Sequence, residues 1–245
     1  MGAVTKGNRL IRYDNAAEHF DVPQHIEYIE DLAFADCDRL IRLEIPDSVK
    51  VIGNYAFSNC YSLREIRLPA AVRKTGSGLF QKCWNIRSVT LPEGMKTLGG
   101  DMFEGCHALT VLHLPSSIES VERTAFSTCR SLRKIYTEPE RIGILPASAR
   151  YQAVLTYMEE HVPEDGTDVI DKYVDGRNKS FLDLAINRRS TESVRYMLGR
   201  GLITADALSE YLVKSANTGR VEITALLLEY GKDNNTGGLS KDPFK

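Results

Sequence analysis

The chain has 245 residues, of which 42% are hydrophobic and 26% are charged, and its formal net charge is −2. This composition is typical of a globular protein with one large or two modest domains. The near-neutral charge argues against a dedicated nucleic-acid-binding protein, which usually carries a strongly basic domain. No apolar run approaches the ~20 residues that span a bilayer. We therefore expect neither a nucleic-acid partner nor a membrane span.

The N-terminal segment, Met1–Lys6, lacks the apolar stretch of a secretory signal. Cysteines that stay reduced also agree with a cytosolic setting. We therefore expect a cytoplasmic protein, with a secreted or cell-surface location as the alternative if a leader has been removed.

A 23-residue repeat runs through the first half of the chain without an insertion. Its most regular columns are a phenylalanine and, three residues later, a cysteine, and together they include every cysteine of the protein. The columns are Phe34, Phe57, Phe80, Phe103 and Phe126, and Cys37, Cys60, Cys83, Cys106 and Cys129. Leucine or isoleucine columns and a proline column follow in each unit. A repeat of this length indicates a solenoid, because one unit cannot bury its apolar side alone.

Each repeat is predicted to contain two short extended segments joined by a turn region. The alternation of Ile66 and Leu68 predicts a strand with one buried face, which Pro69 ends because proline has no N–H to donate. Val49–Ile52 begins the second extended segment, and the spacing in Asn54–Cys60 fits one or two helical or 3₁₀ turns. Stacked coils would place equivalent side chains about 4.8 Å apart in one continuous apolar core.

The repeat resembles the BspA-like leucine-rich repeats of bacterial proteins over residues 20–138. Residues Ile45–Cys60 carry the family pattern almost letter for letter, and Asn8–Tyr13 resembles the strand that caps such arrays. Thr75 departs from the pattern, because it replaces an apolar residue of the second segment. The resemblance implies a leucine-rich-repeat-like solenoid of five coils, built from short strands and short helical turns. It further implies recognition of proteins or surfaces without catalysis, and family members also occur as surface adhesins.

The 23-residue register ends near Tyr136, and helical spacing of apolar residues follows. Helices are predicted over residues 151–158, 181–185, 192–198, 205–216 and 221–230. Residues 219–231 resemble the second helix of an ankyrin repeat, and residues 179–201 resemble a more degenerate copy. We therefore predict an α+β chain with a solenoid over 1–138, an all-α ankyrin-like helical-pair domain over 139–234 and a flexible tail over 235–245. An unrelated helical cap of the solenoid is the alternative.

The sequence contains no motif of a hydrolase, a nucleotide-binding loop or a metal site. The histidines lack metal-ligand spacing, and the cysteines form no C-x-x-C pair. We expect no catalytic residue, no cofactor and no metal. The cysteine column is interpreted as buried structural thiols that behave as small hydrophobic groups.

Two rows of surface positions are the candidate partner-binding residues. The position after each cysteine contains Tyr61, Trp84 and His107, and the row after the leucine column contains Arg64, Arg87 and Arg133. Tryptophan, tyrosine and arginine dominate interface energetics, although the aromatic side chains could instead half-bury against neighbouring coils. Residues 14–47 hold ten acidic and two basic residues, whereas 48–134 hold six acidic and twelve basic ones. Such a charge distribution could steer an acidic partner or favour head-to-tail contact between copies of the chain. The alternative is that these charges are only solvated surface residues.

The predicted function is a non-catalytic protein–protein interaction scaffold with an unidentified partner, as a monomer or with weak self-association. One alternative is an extracellular adhesin or matrix-binding surface protein. A third hypothesis is an enzyme or carbohydrate binder that uses a groove between the solenoid and the helices.

Overall fold

The computed structural model describes residues 2–233. The chain forms two compact units that divide between Ala153 and Val154, inside a helix. The sequence analysis set the domain boundary between residues 138 and 139, where the 23-residue register ends. That boundary stays a prediction. The tail predicted over residues 235–245 lies outside the described residues.

The first unit opens with an antiparallel hairpin of β1 (Ala3–Lys6) and β2 (Arg9–Tyr13). Strand β2 covers the predicted capping strand, whereas the sequence pattern does not reveal β1. The ring of Tyr13 closes this end of the core, because its centroid lies 4.4 Å from that of Phe20 and 5.4 Å from that of Phe34.

Two columns of short parallel strands build the rest of the solenoid. Column 1 follows the prolines and consists of β4 (Tyr28–Ile29), β6 (Val51–Ile52), β8 (Lys74–Thr75), β10 (Thr97–Leu98) and β12 (Ser120–Val121). Column 2 precedes the prolines and consists of β3 (His19–Asp21), β5 (Arg42–Glu44), β7 (Glu65–Arg67), β9 (Ser88–Thr90), β11 (Val111–His113) and β13 (Lys134–Tyr136). Wherever strands of one column pair, the partner residues are 23 positions apart.

Column 2 contains six strands, so the solenoid has about six turns rather than the five counted from the cysteine register. The additional turn precedes the first cysteine, since β3 pairs in parallel with β5. Its sequence lacks the phenylalanine and cysteine of the later coils, which is why the repeat search does not count it.

The repeat columns stack into one apolar spine, as predicted. Phe34, Phe57, Phe80 and Phe103 are fully buried, and the ring centroids of successive phenylalanines, up to Phe126, lie 5.5–5.9 Å apart. The leucine and isoleucine columns are buried on the same core. This stacking stabilises the fold because each coil covers the apolar face that its neighbour leaves open.

The region between the two strands of a coil, such as Asn54–Cys60, consists of hydrogen-bonded turns. Tyr55 and Asn59 have left-handed backbone conformations, with φ of 53° and 58°, and they interrupt any continuous helical turn. The Phe57 N–H donates to the Leu79 carbonyl of the next coil at 3.1 Å, and equivalent bonds recur along the array. These bonds form a third column, the turn column, which joins successive coils.

Within residues 2–233, six α-helices and two 3₁₀ helices follow the strands. They are the 3₁₀ helix Pro139–Ile144, α1 (Ala147–Glu160), the 3₁₀ helix Pro163–Asp165, α2 (Asp168–Val174), α3 (Asn178–Arg188), α4 (Thr191–Gly199), α5 (Ala205–Asn217) and α6 (Val221–Asp233). Among the α-helices, the sequence misses only α2, because Ile170 and Val174 are too few buried residues to show a helical period. Consecutive helices α3 and α4, and α5 and α6, pack as pairs, which agrees loosely with an ankyrin-like arrangement.

Candidate partner-binding surface

The row after the cysteines presents an exposed tryptophan. Trp84 is the only tryptophan of the chain, and it is 47% exposed. Its ring lies against that of Tyr61 on the preceding coil, with centroids 4.4 Å apart and planes tilted by 35°. Tyr61 is half-buried and His107 is exposed. The structure thus brings Tyr61 and Trp84 into contact, whereas it shows no ring contact between Trp84 and His107.

The arginine row directly precedes the strands of column 2. Arg64, Arg87 and Arg133 are exposed. Backbone hydrogen bonds keep this row in register, since the Arg87 N–H donates to the Arg64 carbonyl at 2.7 Å and the Arg133 N–H donates to the Thr110 carbonyl at 2.9 Å. Within residues 2–233, none of the three guanidinium groups forms an ion pair.

Several other cations of the solenoid are neutralised by a nearby carboxylate. Lys50 Nζ lies 3.1 Å from a carboxylate oxygen of Glu27 on the preceding coil, and Arg42 lies 2.8 Å from Glu44 on its own strand. The unpaired arginines therefore leave uncompensated positive charge beside the aromatic row. We call Tyr61, Trp84, His107, Arg64, Arg87 and Arg133 the aromatic–arginine surface.

The cysteine column belongs to the core. The thiols of Cys60, Cys83 and Cys106 each donate to the carbonyl of the phenylalanine 26 residues earlier, at S···O distances of 3.0–3.2 Å. Burial raises the pKa of Cys37 and of Cys129 to about 12, so these thiols stay protonated at neutral pH. All five cysteines are free. In the part of the chain that the structure describes, no cluster of potential ligand residues could hold a metal ion.

A groove of about 670 Å³ lies along column 1, and the sequence analysis does not identify it. Its lining extends from Arg9 to Glu122 and includes Gly53, Gly76 and Gly99, which occupy one repeat position. One sequence signal points there, because Thr75 occupies the groove at the position where neighbouring coils have Ile52 and Leu98.

Comparisons with known proteins relate the solenoid to bacterial repeat proteins. The sequence profile of the BspA type leucine rich repeat region matches residues 10–133 in six copies. No curated protein sequence matches the chain.

Solved structures of leucine-rich repeat proteins share the fold of the solenoid. The Treponema pallidum (T. pallidum) leucine rich repeat protein is 27% identical with a TM-score of 0.52, and the match covers 54% of this chain and 64% of that protein. A leucine rich cell surface protein from Faecalibacterium prausnitzii A2-165 is 31% identical with a TM-score of 0.54, covering 56% and 38%. A leucine-rich repeat protein from Eubacterium ventriosum ATCC 27560 is 26% identical with a TM-score of 0.52, covering 54% and 37%. The chain therefore spans less than two thirds of each of these proteins.

Leucine-rich repeat proteins are generally interaction or surface proteins, and nothing in these comparisons indicates catalysis. None of the helices between residues 2 and 233 combines the length and the apolar character that crossing a bilayer requires.

Proposed function

Because the chain belongs to the BspA type leucine-rich repeat family, we propose that it is a non-catalytic scaffold that binds an acidic protein partner through the aromatic–arginine surface. One observation carries this proposal: an exposed tryptophan lies on the same coils as arginines that have no ion-pair partner among the described residues. The site assignment and the acidic character of the partner are both parts of the proposal.

Trp84 is the expected anchor of the interface. Tyr61 covers one part of its ring, and the remaining exposed area is available to a partner. Removing apolar area from water contributes about 25 cal/mol per Å², and tryptophans at the centre of interfaces often contribute about 2 kcal/mol or more. Burial of Trp84 by a partner would therefore supply a large share of the binding free energy.

The arginine row supports an acidic rather than a basic partner. A guanidinium group binds a carboxylate through two parallel hydrogen bonds. Arg64 and Arg87 lie on successive coils, which are about 4.8 Å apart, so one acidic segment that follows the solenoid can meet both. No ion pair within residues 2–233 has to be broken first.

The double variant Trp84→Ala with Arg87→Ala tests the proposal. Trp84→Ala removes the ring contact with Tyr61, so we expect a small drop in the melting temperature but a loss of about 100-fold or more in affinity for the partner captured by the wild-type chain. The matched control is Lys50→Ala with Lys96→Ala, which removes two cations that are each paired with a carboxylate. Undiminished capture by the folded double variant would contradict the assignment, as would an equal loss in the control.

We also propose a cell-surface location in preference to the cytoplasm, which would make the protein an adhesin if its partner is a matrix or host protein. The support is the similarity to the F. prausnitzii cell surface protein. The free cysteines do not oppose this location, because four of the five are buried and thiols that oxidants cannot reach react slowly. An antibody against the chain should label intact source cells, and labelling that requires permeabilisation would contradict the proposal.

A further inference from the structure

The outer face of column 2 carries charged pairs of opposite order on two adjacent strands. In β5 and in β7 the middle residue is buried, and the residues on either side of it are exposed. Strand β5 presents Arg42 and then Glu44, and strand β7 presents Glu65 and then Arg67. The repeat makes residues 42 and 65 equivalent, and likewise residues 44 and 67. Both rows of the face therefore change sign between these two coils.

A third row, which precedes the strands, carries unneutralised charge of both signs. It runs from Glu18 on the coil of β3, through Ile41 and Arg64, to Arg87 on the coil of β9. Glu18 and Arg87 are exposed, and neither forms an ion pair within residues 2–233. The Ile41 N–H donates to the Glu18 carbonyl at 2.7 Å, which keeps the acidic end in register. This row is therefore negative at its first coil and positive two and three coils later.

Two copies of this face are complementary when they meet around one particular two-fold axis. The axis runs parallel to the strands, midway between β5 and β7, so the two faces meet with their coils in opposite order. The coil of β5 then faces the coil of β7 in the second copy, and the coil of β3 faces the coil of β9. Each contact occurs twice, because a two-fold interface uses the same surface on both copies.

In this register, charged residues that face each other always have opposite signs. The facing pairs are Arg42 with Glu65, Glu44 with Arg67, and Glu18 with Arg87. The remaining charged residues of the three rows face uncharged ones, since Asp21 faces Thr90 and Arg64 faces Ile41. The face is therefore electrostatically complementary to itself.

Neighbouring registers lose this match. With the axis on β5 or on β7, the charged residues of that strand would each face their own copy. With the axis between β7 and β9, Arg64 would face Arg87. An axis along the solenoid would oppose each coil to the same coil, so Glu18 and Arg87 would stay three coils, or about 14 Å, apart. Because like charges across an interface are unfavourable, the charge pattern selects the axis between β5 and β7.

We propose that the acidic partner of the aromatic–arginine surface is a second copy of this chain, bound in this two-fold register. The inference rests on the proposed function, because it identifies the partner of the same surface. Tyr61 faces Asp38 of the second copy, and Trp84 faces Asn15. Both copies use their acidic and basic coils at once, so the assembly closes as a dimer and does not grow into a filament.

The small size of the contact predicts a weak dimer. Four coils at about 4.8 Å extend for about 19 Å, and the seven residues from Tyr61 to Arg67 span at most about 20 Å. The footprint of about 400 Å² is half of the ~800 Å² per partner in a standard interface. We therefore expect a dissociation constant of about 100 µM in ~20 mM salt. Association should be at least about tenfold weaker in ~500 mM salt, because salt screens exposed charge pairs.

Sedimentation equilibrium of the full chain with Glu18→Arg and Arg87→Glu tests the register. Either variant alone places like charges at two contacts of the dimer, so we expect at least about tenfold weaker self-association than in the wild type. An equimolar mixture of the two variants should dimerise again. In the mixed dimer the two introduced charges face each other at one contact, and the native Glu18 and Arg87 face each other at the other. Emission of Trp84 should shift to shorter wavelength whenever the dimer forms, because its exposed ring becomes buried.

The matched control is Glu122→Arg and Arg123→Glu, which reverse the same charges at exposed positions beside β12. Alone or mixed, these variants should self-associate within about twofold of the wild type. A wild-type chain that stays monomeric at about 300 µM in ~20 mM salt would overturn the inference. In that case, capture of a different acidic protein through Trp84 and Arg87 would still support the proposed function. A dimer that both single variants retain, or a mixture that associates no better than either variant, would overturn the register.

Discussion

Truncating one phenylalanine of the spine tests whether aromatic stacking holds the coils together. Phe80 is fully buried between Phe57 and Phe103, at ring-centroid distances of 5.6 and 5.7 Å. Phenylalanine-to-alanine changes in cores cost about 3–5 kcal/mol, depending on how far the site collapses. We expect Phe80→Ala to lie near 5 kcal/mol, because two aromatic pairs worth about 0.5–1.5 kcal/mol each are lost and both neighbours are fixed by their own coils.

The matched variant is Phe126→Ala at the last position of the spine. Phe126 is 8% exposed and has one spine neighbour, Phe103, at 5.9 Å. Its truncation should cost about 3 kcal/mol, because one aromatic pair is lost and the cavity borders solvent. Urea unfolding followed by the fluorescence of Trp84, which lies in the solenoid, measures both values. Equal losses for the two variants, or a loss below about 2 kcal/mol for Phe80→Ala, would refute the reasoning.

Two further predictions concern the thiols and a left-handed glycine. Iodoacetamide at pH 8 should label the cysteines only after unfolding, because thiolate is the reactive form and burial raises the pKa of Cys37 and Cys129 to about 12; rapid labelling of the folded chain would contradict this. The same raised pKa values predict that stability falls as the pH rises from about 9, where unfolded thiols ionise, towards 12. Gly78→Ala should destabilise the chain by more than Gly7→Ala, which costs about 1 kcal/mol. Both glycines have positive φ, but only at Gly78 would a Cβ clash, 2.1 Å from the ring of Tyr55; equal thermal shifts would contradict the clash.

The register of the solenoid is predictable because every coil buries the same positions. A slip by one residue would turn the phenylalanine and cysteine columns out of the core, so the 23-residue spacing fixes which residues stack. The first turn escapes this reasoning only in part, since Phe20 occupies the register position of Leu43, whereas Tyr13 takes the place of a column phenylalanine from a different position. Helix α2 escapes it because a helix with two buried side chains leaves no periodic pattern.

The charge pattern of the candidate surface follows from the same spacing. Lys50 pairs with Glu27 and Lys96 pairs with Glu119, each 23 residues away. Arg64 has Ile41 and Arg87 at that distance, so no carboxylate occupies its register position on either adjacent coil. The repeat therefore predicts the unpaired arginine row, whereas side-chain conformations decide that Trp84 contacts Tyr61.

The strand ladder of column 1 is broken between β8 and β10, which belong to different sheets. The sequence does not predict this break, because backbone pairing depends on small displacements that leave the repeated side-chain positions unchanged. The spine is intact there, since Phe80 and Phe103 remain stacked and the Cys106 thiol donates to the Phe80 carbonyl at 3.2 Å. The turn column is also intact, with the Phe80 N–H bound to the Met102 carbonyl at 2.9 Å. Core packing and one column of hydrogen bonds thus hold this junction while both strand columns are open.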